Sequence, residues 1–151
     1  MRGLKRILIA EGVLPPGWRE QEAQAIRDVN AELSELERGL KRSPTLARFK
    51  LDVHKAAPLE DPFMWTGSDA SITARGSGGR MTRKEFPDFA VAALSEAGLK
   101  FKIRRVSGAN VKGTVELRGK PWDFTASGGK VVMFYFMAPG WEHYGVELLE
   151  E

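Results

Sequence analysis

The chain has no cysteine, two histidines and two tyrosines among its 151 residues. Without thiols there is neither a disulfide framework nor a thiolate metal site. With only His54 and His143, a metal cluster must lean on carboxylates, and a Ser–His–Asp arrangement has few ways to form. Long apolar runs are also missing. The longest, VVMFYFMA at 131–138, is far short of the roughly 20 residues a bilayer span takes. The opening MRGLKRILIAEGVLPPGW starts basic, but Glu11 interrupts its short apolar stretch and no small-residue cleavage site follows. These absences predict a soluble, cytoplasmic protein with no membrane partner.

What is present fits one globular domain over 1–151. Hydrophobic residues make up 42% of the chain, enough for a real core at this length. The formal net charge is +3, which permits an anionic partner without requiring one. The terminal WEHYGVELLEE is acidic, so the remainder is more basic than the total suggests. VLPPGW at 13–18 and FMAPGW at 136–141 echo one another, each a Pro-Gly turn whose Trp is expected to fold back on the core.

Hydropathy patterning predicts an α+β fold. The clearest element is a helix over 18–42, where Ile26, Val29, Leu33, Leu36 and Leu40 step by 3, 4, 3 and 4. Glu37 and Lys41 form an i,i+4 pair on it, and Ser43-Pro44 ends it. So narrow a seam can pack on a sheet or pair with a second copy or a protein partner. LARFKLDV at 46–53 alternates as a strand with one wet face, and 70–75 reads as a short strand. Residues 87–98 read as a second, shorter helix, with Pro87 at its start and Gly98 past its end. A meander follows over 99–106, 111–119, 120–126 and 130–137. Strand 130–137 is apolar on both faces, which predicts a central strand covered on both sides. The expected architecture is an antiparallel sheet, a meander in its C-terminal half, packed with the long N-terminal helix and the second shorter one.

Three features bear on chemistry. TARGSGGRMTRKEF at 73–86 joins three glycines to Arg75, Arg80, Arg83 and Lys84. It matches neither a Walker A loop nor a dinucleotide fingerprint, since Met81 stands where the third glycine belongs. Its composition suits anion contact through backbone N–H groups and arginine forks. Lys100, Lys102 and Arg104 form a cationic row on one strand face, about 6.6 Å apart, with Lys112 and Arg118 expected on the matching face of the next strand. Trp65, beside Phe63 and Met64 in a loop, is suited to stacking or contact.

Enzyme signals are thin. His54 with Asp52, Glu60 and Asp61 makes a metal set only if the loop 54–69 folds back, and Asp88, Glu116 and Lys120 only loosely match a nuclease carboxylate set. Helix, strand, strand, strand over 87–126 resembles the front of a double-stranded-RNA-binding domain, and is similar in layout to small toxins of the HicA type. SGAN stands at 107–110 where such toxins carry Gly-Ser-His, so no catalytic histidine transfers. The resulting expectation is a non-enzymatic protein without metal or cofactor that binds DNA or RNA. Its contacts are Arg75, Arg80, Arg83, Lys84, Lys100, Lys102, Arg104 and Trp65. The alternative is a protein-interaction module or homo-oligomer built on the 26–40 seam. A small enzyme or small-anion binder centred on the glycine-rich loop and His54 is the third reading.

Overall fold

A computed structural model describes residues 18–58 and 70–145. Helix α1 spans Trp18–Arg42, β1 Lys50–His54, β2 Ser71–Ser77 and α2 Phe86–Glu96. Strands β3 (Lys100–Ser107), β4 (Asn110–Leu117), β5 (Lys120–Ser127) and β6 (Val131–Met137) follow, then a 3₁₀ turn at Trp141–Tyr144. The six strands form one antiparallel sheet in the order β1-β2-β6-β5-β4-β3. The C-terminal meander supplies four of them, and the β1–β2 pair adds to its free edge at β6. The fold is α+β, with the long N-terminal helix and the meander expected from the pattern.

Both helices pack on one face of the sheet. Val29, Leu33, Leu36 and Leu40 of α1 are buried there, against a core that includes Ile72, Phe124, Phe134 and Phe136. The buried stripe begins at Ala25, which displaces Ile26 to a half-buried flank. Glu37 and Lys41 pair at 3.1 Å on the wet side. Helix α2 lies close through Ala90, Ala93 and Ala97, all buried. It ends at a left-handed Gly98, whose neighbour Leu99 donates its N–H back to the Leu94 carbonyl. Phe86, Phe89, Phe134 and Phe49 form one aromatic cluster beneath the sheet, with ring centroids 6.0–6.4 Å apart.

The two helices are tied at their C-terminal ends. The Glu96 carboxylate accepts from the Ser43 hydroxyl at 2.8 Å and from the Thr45 N–H at 3.0 Å. These bonds from Thr45 and Ser43 hold its pKa below the ordinary carboxylate value. The Asn30 side chain both donates to and accepts from the backbone of Ala56, which fixes the segment leaving β1.

Two sequence expectations are corrected. The strand expected from residue 46 starts at Lys50, because Leu46, Ala47 and Phe49 donate to Ser43, Pro44 and Leu46 in successive turns. That turning buries Leu46 and leaves Ala47 exposed, the reverse of a shared strand face. Strand β6 is central in the sheet, but no described element covers its second face. Val131, Tyr135 and Met137 are 56%, 36% and 44% exposed. The two described helices lie on one face of the six strands, and Val131, Tyr135 and Met137 stay exposed on the other.

Candidate functional site

The uncovered sheet face carries the strongest concentration of unspent chemistry. Strand pairing fixes its layout in rows. One row runs Asp52, Thr73, Tyr135, Thr125, Lys112, Arg105 from β1 to β3. The row on one side runs Lys50, Arg75, Met133, Ser127, Asn110, Ser107, and on the other His54, Ser71, Met137, Asp123, Thr114, Lys102. Beyond these, Val131 faces Ser77 at one end and Pro121, Glu116 and Lys100 align at the other. With strands about 4.8 Å apart, the face is about 24 Å wide.

The arrangement is a lane between two banks. Val131, Met133, Tyr135 and Met137 make an apolar lane along β6. Lys50 and Arg75 stand on the β1–β2 side, and Lys102, Arg105 and Lys112 on the β3–β4 side. Asp52, Asp123 and Glu116 are the acids of the face. Among the described residues no ion pair engages Arg75, Lys102, Arg105 or Lys112, while Lys100 approaches Glu116 only at 3.8 Å with both side chains exposed. Such cations keep their charge available for a ligand. Tyr135 offers a flat ring in their midst, suited to stacking on another aromatic plane.

The edge strand modifies the expected cationic row. The β3–β4 register shifts between Ile103 and Arg105, so Arg104 is the extra residue and Arg105 takes the place opposite Lys112. The bulge lies where Gly113 faces Ile103: a Cβ at Gly113 would run into the Lys102 carbonyl and the Phe124 ring. Arg118 is not on this face. It sits in the β4–β5 turn with φ of 50° and donates to Glu35 of α1 at 2.8 Å, on the helix side.

The glycine-rich stretch is partly strand. Arg75, Gly76 and Ser77 belong to β2, and Arg75 joins the open face opposite Met133. The loop beyond is held by Gly78 N–H to the Lys130 carbonyl, Met81 N–H to the Gly78 carbonyl and Gly79 N–H to Ser77 Oγ. Thr82 and Glu85 bond each other before α2. Arg80, Arg83 and Lys84 are exposed around this loop, and Arg83 lies against Gly108 of the β3–β4 turn. The expected contacts thus divide: Arg75, Lys100 and Lys102 lie on the open face, while Arg80, Arg83 and Lys84 lie at its β2–α2 margin. Trp65 and Phe63 fall outside the described residues.

The helix seam is no free surface. Val29, Leu33, Leu36 and Leu40 are spent on the chain's own core, which corrects their expectation as a partner interface. The candidate catalytic sets do not assemble either. Asp88 is exposed on α2, Glu116 faces the open sheet, and Lys120 turns to the helix side. His54 and Asp52 share the outer face of β1, and Glu60 and Asp61 lie outside the described residues. No group of three or more potential ligands forms a metal site among the described residues.

A second polar constellation was missed by sequence reasoning, and it centres on a buried carboxylate. Glu32 of α1 is buried, and its Oε1 accepts from Trp122 Nε1 at 3.0 Å and the Tyr144 hydroxyl at 2.8 Å. Lys120 Nζ reaches Oε2 at 3.2 Å and also stands 4.9 Å over the Tyr144 ring. Burial, then the hydrogen bond and negative charge of Glu32, push the Tyr144 phenol well above its ordinary pKa. Every described partner of Glu32 is a donor, so the group is a satisfied structural network that anchors the 3₁₀ turn to α1. The signal for it lay in the seam: Glu32 sits directly beside Leu33, where an unpartnered carboxylate has no place.

Comparison of the chain with protein-family models, with curated proteins and with solved structures finds no match. No described helix is long and apolar enough to cross a membrane.

Proposed function

We propose that the open sheet face binds single-stranded nucleic acid. The carrying observation is the exposed Tyr135 in an apolar lane, with unpaired cations on both sides of it. Bases stack on the Tyr135 ring and contact Met133 and Met137. Phosphates meet Lys102, Arg105 and Lys112 on one bank and Arg75 and Lys50 on the other. Arg80 and Lys84 lie in the loop beyond the β2 bank, and Arg83 lies by the β3–β4 turn. An open sheet face suits a single strand, whose bases can be laid open, better than a duplex whose bases are already paired and stacked. The threonines at 73, 114 and 125 add hydroxyl donors that are indifferent to base identity, so weak sequence preference is expected.

Fluorescence anisotropy with labelled single-stranded DNA, single-stranded RNA and duplex DNA, at low and moderate salt, tests the reading. The expected result is salt-sensitive binding of the single strands, weakened by Tyr135→Ala and by a joint Arg105/Lys112→Ala variant. No binding to any oligonucleotide at low salt overturns it. Self-association removed by Tyr135→Ala, in the same absence of binding, would reassign the lane to a second protein chain.

A further inference from the structure

The cationic surface does not stop at the edge of the sheet. At the β4–β5 turn end, α1, the turn after α2 and the start of β3 enclose an open groove of about 480 Å³. Its charged walls are Glu35, Arg38, Arg42, Lys100, Glu116 and Arg118. Arg118 is paired with Glu35, and Lys100 lies near Glu116. Arg38 and Arg42 have no ion pair among the described residues and are exposed. They stand four residues apart on one face of α1, and both line the groove.

Beside the groove, α1 comes very close to the turn following α2. A Cβ at Gly39 would stand 2.9 Å from the Ala97 carbonyl oxygen, so only glycine seats the helix there without a shift. A second hollow, of about 370 Å³, lies between β3 and β4 and includes Lys102, Phe101 and Thr114. The two hollows share Lys100, Glu116 and Gly119. The surface is therefore continuous from the open face, past Lys100, round to Arg38 and Arg42.

We infer that this groove is an exit channel for the same strand: it takes the phosphates of nucleotides that extend past the open face. The inference rests on the nucleic-acid reading above. It predicts that affinity depends on oligomer length, with a short strand held by the face alone and a longer one also held by the arginines.

The test compares oligothymidylates of about five and about fifteen nucleotides, a range typical of single-strand site sizes. The protein is used as wild type, as Arg38→Ala/Arg42→Ala and as Tyr135→Ala, with circular dichroism confirming that each is folded. The arginine variant is expected to match wild type on the short oligomer. On the long one it should bind more weakly, with the slope of log affinity against log salt reduced by about 1.4, or about 0.7 per contact. An unchanged slope and affinity on the long oligomer overturns the channel while leaving the face intact. Equal losses on both lengths overturn it as well, because the arginines would then act within the primary site. If Tyr135→Ala changes nothing at either length, and the arginine variant still loses binding, the face reading fails and the groove stands alone as a phosphate site.

Discussion

The two faces of the sheet are made from the same strands, yet they obey different rules. On the helix side, Phe134 and Phe136 of β6 are buried within a phenylalanine cluster. On the other side, Met133 lies opposite Arg75 and Ser127, Tyr135 opposite Thr73 and Thr125, and Met137 opposite Ser71 and Asp123. Aromatic and apolar content therefore does not separate them; the neighbours do. An apolar residue among apolar partners adds to stability, while an apolar residue among unpaired charges adds surface that a ligand can use.

Substitutions along β6 break this comparison most sharply. Phe134→Ala should cost about 3–5 kcal/mol of folding free energy, read as a lower midpoint in urea unfolding. Removing the buried carboxylate with Glu32→Ala should cost a similar or slightly smaller amount. It strands Trp122 Nε1 and the Tyr144 hydroxyl in the interior and leaves the half-buried Lys120 unpaired, at about 3–5 kcal/mol, measurable by the same titration. Tyr135→Ala, one residue from Phe134, should cost no more than about 1 kcal/mol of stability but weaken single-strand binding by about 1–3 kcal/mol. If the stability loss at Tyr135 rivals that at Phe134, the open face is a second core and the proposed site is wrong.

Two smaller effects sharpen the picture through pH. The Tyr144 phenol has a raised pKa in the fold, so stability is full below the ordinary tyrosine value of about 10 and falls as pH rises above it. Tyr144→Phe should flatten that alkaline loss. Glu96 has a lowered pKa, so its contribution is present above the ordinary glutamate value of about 4.3 and disappears as pH falls through the folded value. Glu96→Gln should remove this small acid-side dependence in a melting series from pH 6 to pH 3.

Much of the framework was legible from spacing. The 3-4 rhythm from Ile26 to Leu40 predicted α1, alternation predicted β3 and β4, and the Gly-containing turn after β4 predicted β5, all with near-correct ends. What periodicity could not show was the supply of covering elements. VVMFYFM looks buried on both faces by its composition, but the two described helices lie on one face and Tyr135 is exposed on the other. The doubled arginine in KFKIRRV was a readable break in alternation, and it marks the bulge that brings Arg105 into the row in place of Arg104. Arg118 was misplaced because strand alternation was carried one residue into a turn. Glu32 was hidden by sequence distance, since its partners Lys120, Trp122 and Tyr144 lie 88, 90 and 112 residues away.

That distance has a consequence for how the chain is made. Helix α1 is synthesised early, carrying a carboxylate in its apolar stripe whose donors arrive only at the far end of the fold. Until Tyr144 leaves the ribosome, docking α1 would bury a charge with no complete set of partners. The nascent chain should therefore wait, its helix loosely held, and close cooperatively when the last turn appears.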